Sequence, residues 1–248
     1  MVLIAIVGEL GIGKTLTLAY MTWNNYVKKK REIYTNMPVY GIPHIPIKSV
    51  NDLLEMIPPT TDEKEIFEGK EKFFAGDELW RWIDSRMVGV GSREKNKVIT
   101  SILIASRKSF VTIAYTAQAL HLIDKRILDV TDLVFTPQIS PDNSYTTVFV
   151  FSGGRKPYPS GIDPFRFNNE PIYMLYNTFY KVQDIEETPT ISSKKITPHY
   201  YPPIKNPAWI WYLTKMYNFS QEEIEKITKE FESRINSEDY PDLVIKPS

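Results

Sequence analysis

The sequence predicts an α/β fold with a mostly parallel central sheet and a small C-terminal helical tail, on three observations. Val2 to Val7 is an unbroken apolar run, the pattern of a strand buried on both faces of a parallel sheet. Further apolar runs alternate with helical patterns as far as about residue 180. Pro189, Pro198, Pro202, Pro203 and Pro207 then mark a linker, and two amphipathic patterns follow it. These divide the chain into a domain at 1–185, a Pro-rich linker at 186–207 and a helical tail at 208–248.

Taken in order, a helix follows the first strand through Leu16, Ala19, Trp23 and Tyr26. It closes on Lys28 to Arg31, cations that suit the negative end of a helix dipole. Ile33 to Tyr40 reads as a second strand, and Val50 to Ile57 as a short helix stopped by Pro58 and Pro59. After a charged segment at 60–70, Glu71 to Gly76 reads as a strand ending at Asp77-Glu78. A helix-rich stretch from Leu79 to Lys108 is broken by Val88-Gly-Val-Gly-Ser92. Phe110 to Tyr115, Leu133 to Thr136, Tyr145 to Ser152 and Pro171 to Thr178 read as further strands, the last two separated by turn-rich sequence. In the tail, Ala208 to Tyr217 and Gln221 to Arg234 are helical, and Ser220 with Glu223 forms a capping box.

Composition narrows the function classes. The 248 residues carry 30 basic and 30 acidic side chains, so no global basic field advertises nucleic acid. A ring whose inner face holds a few cations per subunit remains compatible with that balance. The absence of cysteine excludes disulfides, zinc–thiolate sites and thiol catalysis. No apolar run approaches the ~20 residues that span a bilayer. Met1 to Val7 has no basic leader and enters a Gly-rich loop directly, which predicts a cytoplasmic protein.

Gly8-Glu9-Leu10-Gly11-Ile12-Gly13-Lys14-Thr15 matches the phosphate-binding loop pattern at every fixed position, between a strand and a helix. Glycines let successive N–H groups point inward at a helix N-terminus. Lys14 reaches the β and γ oxygens of ATP, and the Thr15 hydroxyl binds Mg²⁺. Lys72-Phe-Phe-Ala-Gly-Asp77-Glu78 has the form of a Walker B segment. Asp77 is expected to hold the Mg²⁺ and Glu78 to polarise the attacking water. The strand ending at Gln118 completes the set: in nucleotidases with a separate catalytic glutamate it is the additional strand between the other two. Gln118 is then the sensor of the γ-phosphate.

In order and spacing these pieces resemble the FtsK–HerA superfamily of DNA-pumping ATPases, most nearly its compact viral genome-packaging and Zot-like members. The matching residues are Gly8 to Thr15, Ile33 to Pro38, Asp77-Glu78, Ala105-Ser-Arg107, Thr116-Ala-Gln118, Ile123 to Arg126 and Tyr173 to Thr178, within residues 1 to 180. The resemblance implies a P-loop fold of the additional-strand, catalytic-glutamate type, with Tyr173 to Thr178 as its closing strand. It implies ATP-driven translocation of double-stranded DNA by a homohexamer, with an arginine entering each site from the neighbouring subunit. Arg107 holds the matching place, with Arg126 and Arg86 as rivals. Unlike the large translocases and the Zot-like proteins, the chain shows no membrane segment, which favours genome packaging in a host cytoplasm, with a capsid or other virion protein as a further partner. The segment Arg86 to Lys97 is a candidate DNA-facing loop. The alternative, in another class, is a nucleotide-switched assembly or replication-initiation protein with little turnover; a small-molecule kinase fits less well.

Overall fold

The computed structural model describes residues 2–56, 71–82, 99–101, 103–105, 110–183 and 197–245. The charged segment at 60–70, the Gly-containing part of 79–108, the arginines at 86 and 107, and the start of the Pro-rich linker lie outside the described residues.

Among the described residues the strands are β1 (Leu3–Val7), β2 (Glu32–Thr35), β3 (Ile45–Pro46), β4 (Lys72–Gly76), β5 (Val111–Ala117), β6 (Leu133–Ile139), β7 (Tyr145–Ser152), β8 (Tyr158–Pro159) and β9 (Phe165–Asn168). They form one sheet in the order β3-β2-β4-β5-β1-β6-β7-β8, with β9 also on β7. From β3 to β6 every pairing is parallel, and the pairings of β7 are antiparallel. The expected α/β sheet is therefore present, and β5 lies between β1 and β4 as the additional-strand arrangement requires. Register aligns the strand ends: Val7 faces Ala117 and Gly76 faces Tyr115, so Gly8, Asp77 and Gln118 leave the sheet along one edge.

Both faces of the sheet are covered, which is why β1 is apolar at every position. Ile4 and Ile6 enter one hydrophobic cluster, while Leu3 and Ala5 enter the other. The first cluster is roofed by α1 (Lys14–Val27), α4 (Asn169–Tyr173), α5 (Pro207–Tyr217) and α6 (Gln221–Arg234). The second is roofed by α2 (Val50–Met56), α3 (Lys125–Val130) and helical residues within 99–105.

The two C-terminal helices share the core of α1. Trp23 of α1 is fully buried and donates from its indole N–H to the Ile235 carbonyl at 2.7 Å. Trp209 of α5 donates to Thr228 of α6 at 3.0 Å. Asn206 caps α5 by accepting from the Ala208 N–H, and its amide donates to the carbonyls of Met174 and Tyr176, both at 2.9 Å. The capping box of Ser220 and Glu223 is present.

Three local expectations shift. The second strand stops at Thr35, and Val39 and Tyr40, just after Pro38, make only isolated bridges, to Tyr176 and Tyr201. Pro171 to Thr178 is not a strand: residues 169–173 are helical and only Tyr176 bridges. The Asn168 side chain caps the Glu170 N–H at 3.1 Å, and Pro171 is preset for a first helical turn. The strand beside β7 is instead Phe165–Asn168, inside sequence that reads as turn-rich. Of the basic cluster after α1, Lys28 sits 5.6 Å over the Trp23 ring and Arg31 pairs with Glu71.

His44 ties the segment after β2 to the far end of the linker. Its backbone exchanges hydrogen bonds with His199 at 2.9 and 2.7 Å, and its Nδ1 faces the Ile42 carbonyl at 2.9 Å. Burial lowers its pKa, the Ile42 carbonyl opposing and His199 adding to the drop. The native state thus holds His44 neutral, while the unfolded chain protonates it near pH ~6.5. Stability from this group is present above that value and lost as pH falls through it toward the lower native pKa. Urea midpoints measured from pH 7.5 to 5.5 are expected to fall more steeply for the wild type than for His44→Asn.

Candidate nucleotide-binding site

The loop between β1 and α1 takes a shape that L side chains resist. Gly8 has φ +143°, and a Cβ there would lie 1.9 Å from Ile12 Cδ1. Gly13, the N-cap of α1, has φ +96°, and a Cβ there would lie 3.0 Å from Ile139 Cγ1. The loop closes on itself through Lys14, whose ammonium donates to the carbonyls of Gly8 at 2.8 Å and Glu9 at 2.7 Å. Desolvation lowers the Lys14 pKa, and the charges of Asp77 and Glu78 oppose that fall.

Asp77 joins four elements. Its carboxylate accepts from the Thr15 hydroxyl of α1 at 3.1 Å and from the Thr116 hydroxyl of β5 at 2.7 Å. Its own N–H donates to Asn36 Oδ1, and its carbonyl accepts from Asn36 Nδ2, both at 2.7 Å. Burial pushes its carboxyl pKa up, while the hydroxyls of Thr116 and Thr15 pull it down. A buried carboxylate beside a threonine hydroxyl supplies hard oxygen donors, and the cleft above them has room for phosphate oxygens and water. That donor set fits Mg²⁺, which takes few protein ligands and keeps several waters.

Glu78 follows with φ +45°, an unusual backbone for a residue with a side chain. Its N–H donates to Thr116 Oγ at 2.7 Å, so one hydroxyl fixes the carboxylate of Asp77 and the backbone of Glu78 together. The Glu78 side chain is 41% exposed and meets Arg81 at 3.2 Å. At that exposure the pair is worth at most about 1 kcal/mol, so the carboxylate is held but not locked.

These groups line a cleft of about 710 Å³ that also includes Leu10, Gly11 and Gln118. Gly8, Glu9 and Ile12 do not line it; the carbonyls of Gly8 and Glu9 hold Lys14, and Ile12 lies beside Gly8. Of the candidate arginines, Arg107 and Arg86 fall outside the described residues. Arg126 is engaged locally, donating to Asp124 at 3.0 and 2.6 Å at the start of α3, an interaction that lowers the Asp124 pKa.

Sequence reasoning missed several participants. Asn36 lay in the Ile33–Pro38 segment without a role, and Arg81 is three residues beyond Glu78, a helical spacing that was open to reading. Tyr173, Tyr176 and Lys181 also line the cleft, because the chain after α4 turns over it instead of forming a strand.

No protein-family model matches the sequence, and a search of curated proteins finds no match. Among solved structures, the N-terminal domain of zonular occludens toxin from Neisseria meningitidis is similar over 71% of this chain and 100% of its own, at 20% identity and TM-score 0.45. The genome packaging NTPase B204 from Sulfolobus turreted icosahedral virus 2, in complex with ATP-gammaS, covers 59% of this chain and 91% of its own, at 8% identity and TM-score 0.39. The pCW3 conjugation coupling protein TcpA, with ATPgS, covers 62% and 58%, at 14% identity and TM-score 0.41.

Asn36→Ala leaves the buried N–H and carbonyl of Asp77 without these partners, and is expected to lower unfolding free energy by at least about 1–3 kcal/mol in urea titrations. Gln118→Ala, at an exposed position, is expected to change it by no more than about 0.5 kcal/mol.

Proposed function

We propose that this protein hydrolyses ATP with Mg²⁺ and uses the energy to move double-stranded DNA, as a homohexamer serving viral genome packaging. The observation that carries the nucleotidase reading is the Thr15 hydroxyl on the Asp77 carboxylate at 3.1 Å, beneath a glycine loop that ends in Lys14. In this reading the loop N–H groups and Lys14 take the phosphates, and Thr15 and Asp77 hold the metal. When bound there, the metal would supply charge neutralisation to the phosphate oxygens. Glu78 accepts a proton from the attacking water, and Gln118, at the end of the strand between them, reports the γ-phosphate. Arg81 pairs with the Glu78 carboxylate at 3.2 Å and steadies it.

Support for DNA as the partner is the ordered set of motifs from the glycine loop at Gly8 through Gln118, which follows the pattern of ring-forming DNA pumps. Arg107 is the residue we assign to the neighbouring subunit's site, where such a finger in GTPases contributes roughly 10³–10⁵ in rate. A capsid or other virion protein is a further partner of this reading, which places the motor in the host cytoplasm and transiently at the virion; among the described residues no helix is long and apolar enough to cross a membrane. One observation favours the second reading, a nucleotide-switched assembly or initiator protein. Lys14 is held by the loop carbonyls and Glu78 by Arg81 within one chain, as a slow switch would have them.

ATP turnover with and without duplex DNA separates the two. A motor is expected to be stimulated by duplex DNA at low salt, with the stimulation fading as salt rises. Lys14→Ala abolishes turnover. Glu78→Gln retains ATP binding, loses about 10²-fold or more in turnover and traps the assembled ring. Turnover indifferent to duplex DNA at low salt would overturn the motor and leave the switch.

A further inference from the structure

The peptide unit between Asp77 and Glu78 is gripped at both of its polar groups. Its carbonyl accepts from Asn36 Nδ2 at 2.7 Å, and its N–H donates to Thr116 Oγ at 2.7 Å. A peptide is planar, so fastening both groups fixes the plane from which the Glu78 side chain departs. We propose that Thr116 is a positioning residue for hydrolysis, whose hydroxyl sets the direction of the Glu78 carboxylate by holding the backbone before it. The proposal rests on the reading of Glu78 as acceptor of the water's proton, and adds the residue that aims it.

Three contacts compete to set that direction. Arg81 meets the carboxylate itself at 3.2 Å, but the two side chains are 37% and 41% exposed, so the pair constrains it weakly. The Glu78 carbonyl accepts from the Arg81 N–H at 3.0 Å, a bond that orders the chain after the side chain has left it. The plane before Glu78 is the remaining control. With φ +45°, Glu78 holds a conformation that a residue with a Cβ resists. Released from that plane, it would relax toward negative φ by turning about its N–Cα bond, and its side chain would point elsewhere.

A hydroxyl is suited to this task. Thr116, at the end of β5, is 1% exposed, and its Oγ donates to Asp77 Oδ1 at 2.7 Å while accepting from the Glu78 N–H. It has one proton and two lone pairs, so donating to the carboxylate leaves it an acceptor toward Glu78. Serine reproduces both bonds. Valine, of nearly the same shape, makes neither. With its proton committed to Asp77, Thr116 acts through Glu78 and not on the reacting atoms.

Turnover of ATP by the whole protein is measured at saturating Mg²⁺, which offsets the bond that Asp77 loses, with ATP affinity and urea midpoints alongside. Thr116→Val is expected to lower kcat about ten-fold or more and to leave KM and ATP affinity within about two-fold, the pattern of an interaction felt in the transition state. Thr116→Ser, which keeps the hydroxyl, is expected to turn over within about three-fold of the wild type. In a Glu78→Gln background Thr116→Val is expected to cost less than about two-fold more, because both changes disable one step. If the valine variant does not fold, Thr116→Cys carries the same test: it is close in size, its thiol is a weak donor and acceptor, and a loss of at least about five-fold is expected. Unchanged kcat in the folded variant, a rise in KM alone, or a full further loss on top of Glu78→Gln overturns the proposal and leaves Glu78 as the base. Wild-type turnover that Glu78→Gln does not diminish overturns the base and the proposal together.

Discussion

A single buried carboxylate organises the working edge of this sheet. Asp77 stands where β4 ends, and its hydrogen bonds reach the start of α1 through Thr15, the end of β5 through Thr116, and the exit of β2 through Asn36. Removing a carboxylate from water is costly unless hydrogen bonds replace the lost hydration. Two hydroxyls do so here, and the reciprocal clasp of Asn36 on the Asp77 backbone adds a further tie, so that four segments distant in sequence are held at one point. The strand order makes this possible, since β5 must lie between β1 and β4 for Thr116 to face Asp77.

The parts of the fold that were readable from sequence are those with strong local causes. The β1 run, the glycine loop and the capping box at Ser220 each have a local signature, and each is found where it was expected. The placing of β5 is legible only from Gln118 together with Asp77 and Glu78. What escaped were features decided by tertiary contact. Tyr173 to Thr178 is apolar and aromatic enough for a strand, yet the Asn168 cap and Pro171 turn it into a helix and a crossing loop. Asn36 and Arg81 belong to ordinary residue types, and only the approach of β2 to β4 and the turn after Glu78 give them partners.

The C-terminal helices illustrate the same limit at a larger scale. Their amphipathic patterns and the prolines before them suggest an appendage. Trp209, Leu213, Ile224 and Phe231 nevertheless enter the cluster that contains Trp23, and Asn206 fastens the start of α5 to the chain after α4. Period and composition identify an apolar face without saying what covers it. Here the covering surface is the helix that begins at the glycine loop, which brings α5 to within one short helix of the cleft.

The backbone of Glu78 has a consequence for how this protein tolerates change. A left-handed conformation costs a residue with a Cβ roughly 1–2 kcal/mol, a cost that glycine avoids. Random substitution at this position would therefore yield, as glycine, a chain that folds more tightly and has lost its carboxylate. Drift toward greater robustness and loss of this carboxylate coincide at one codon, so a screen for thermal tolerance alone would enrich chains that lack it.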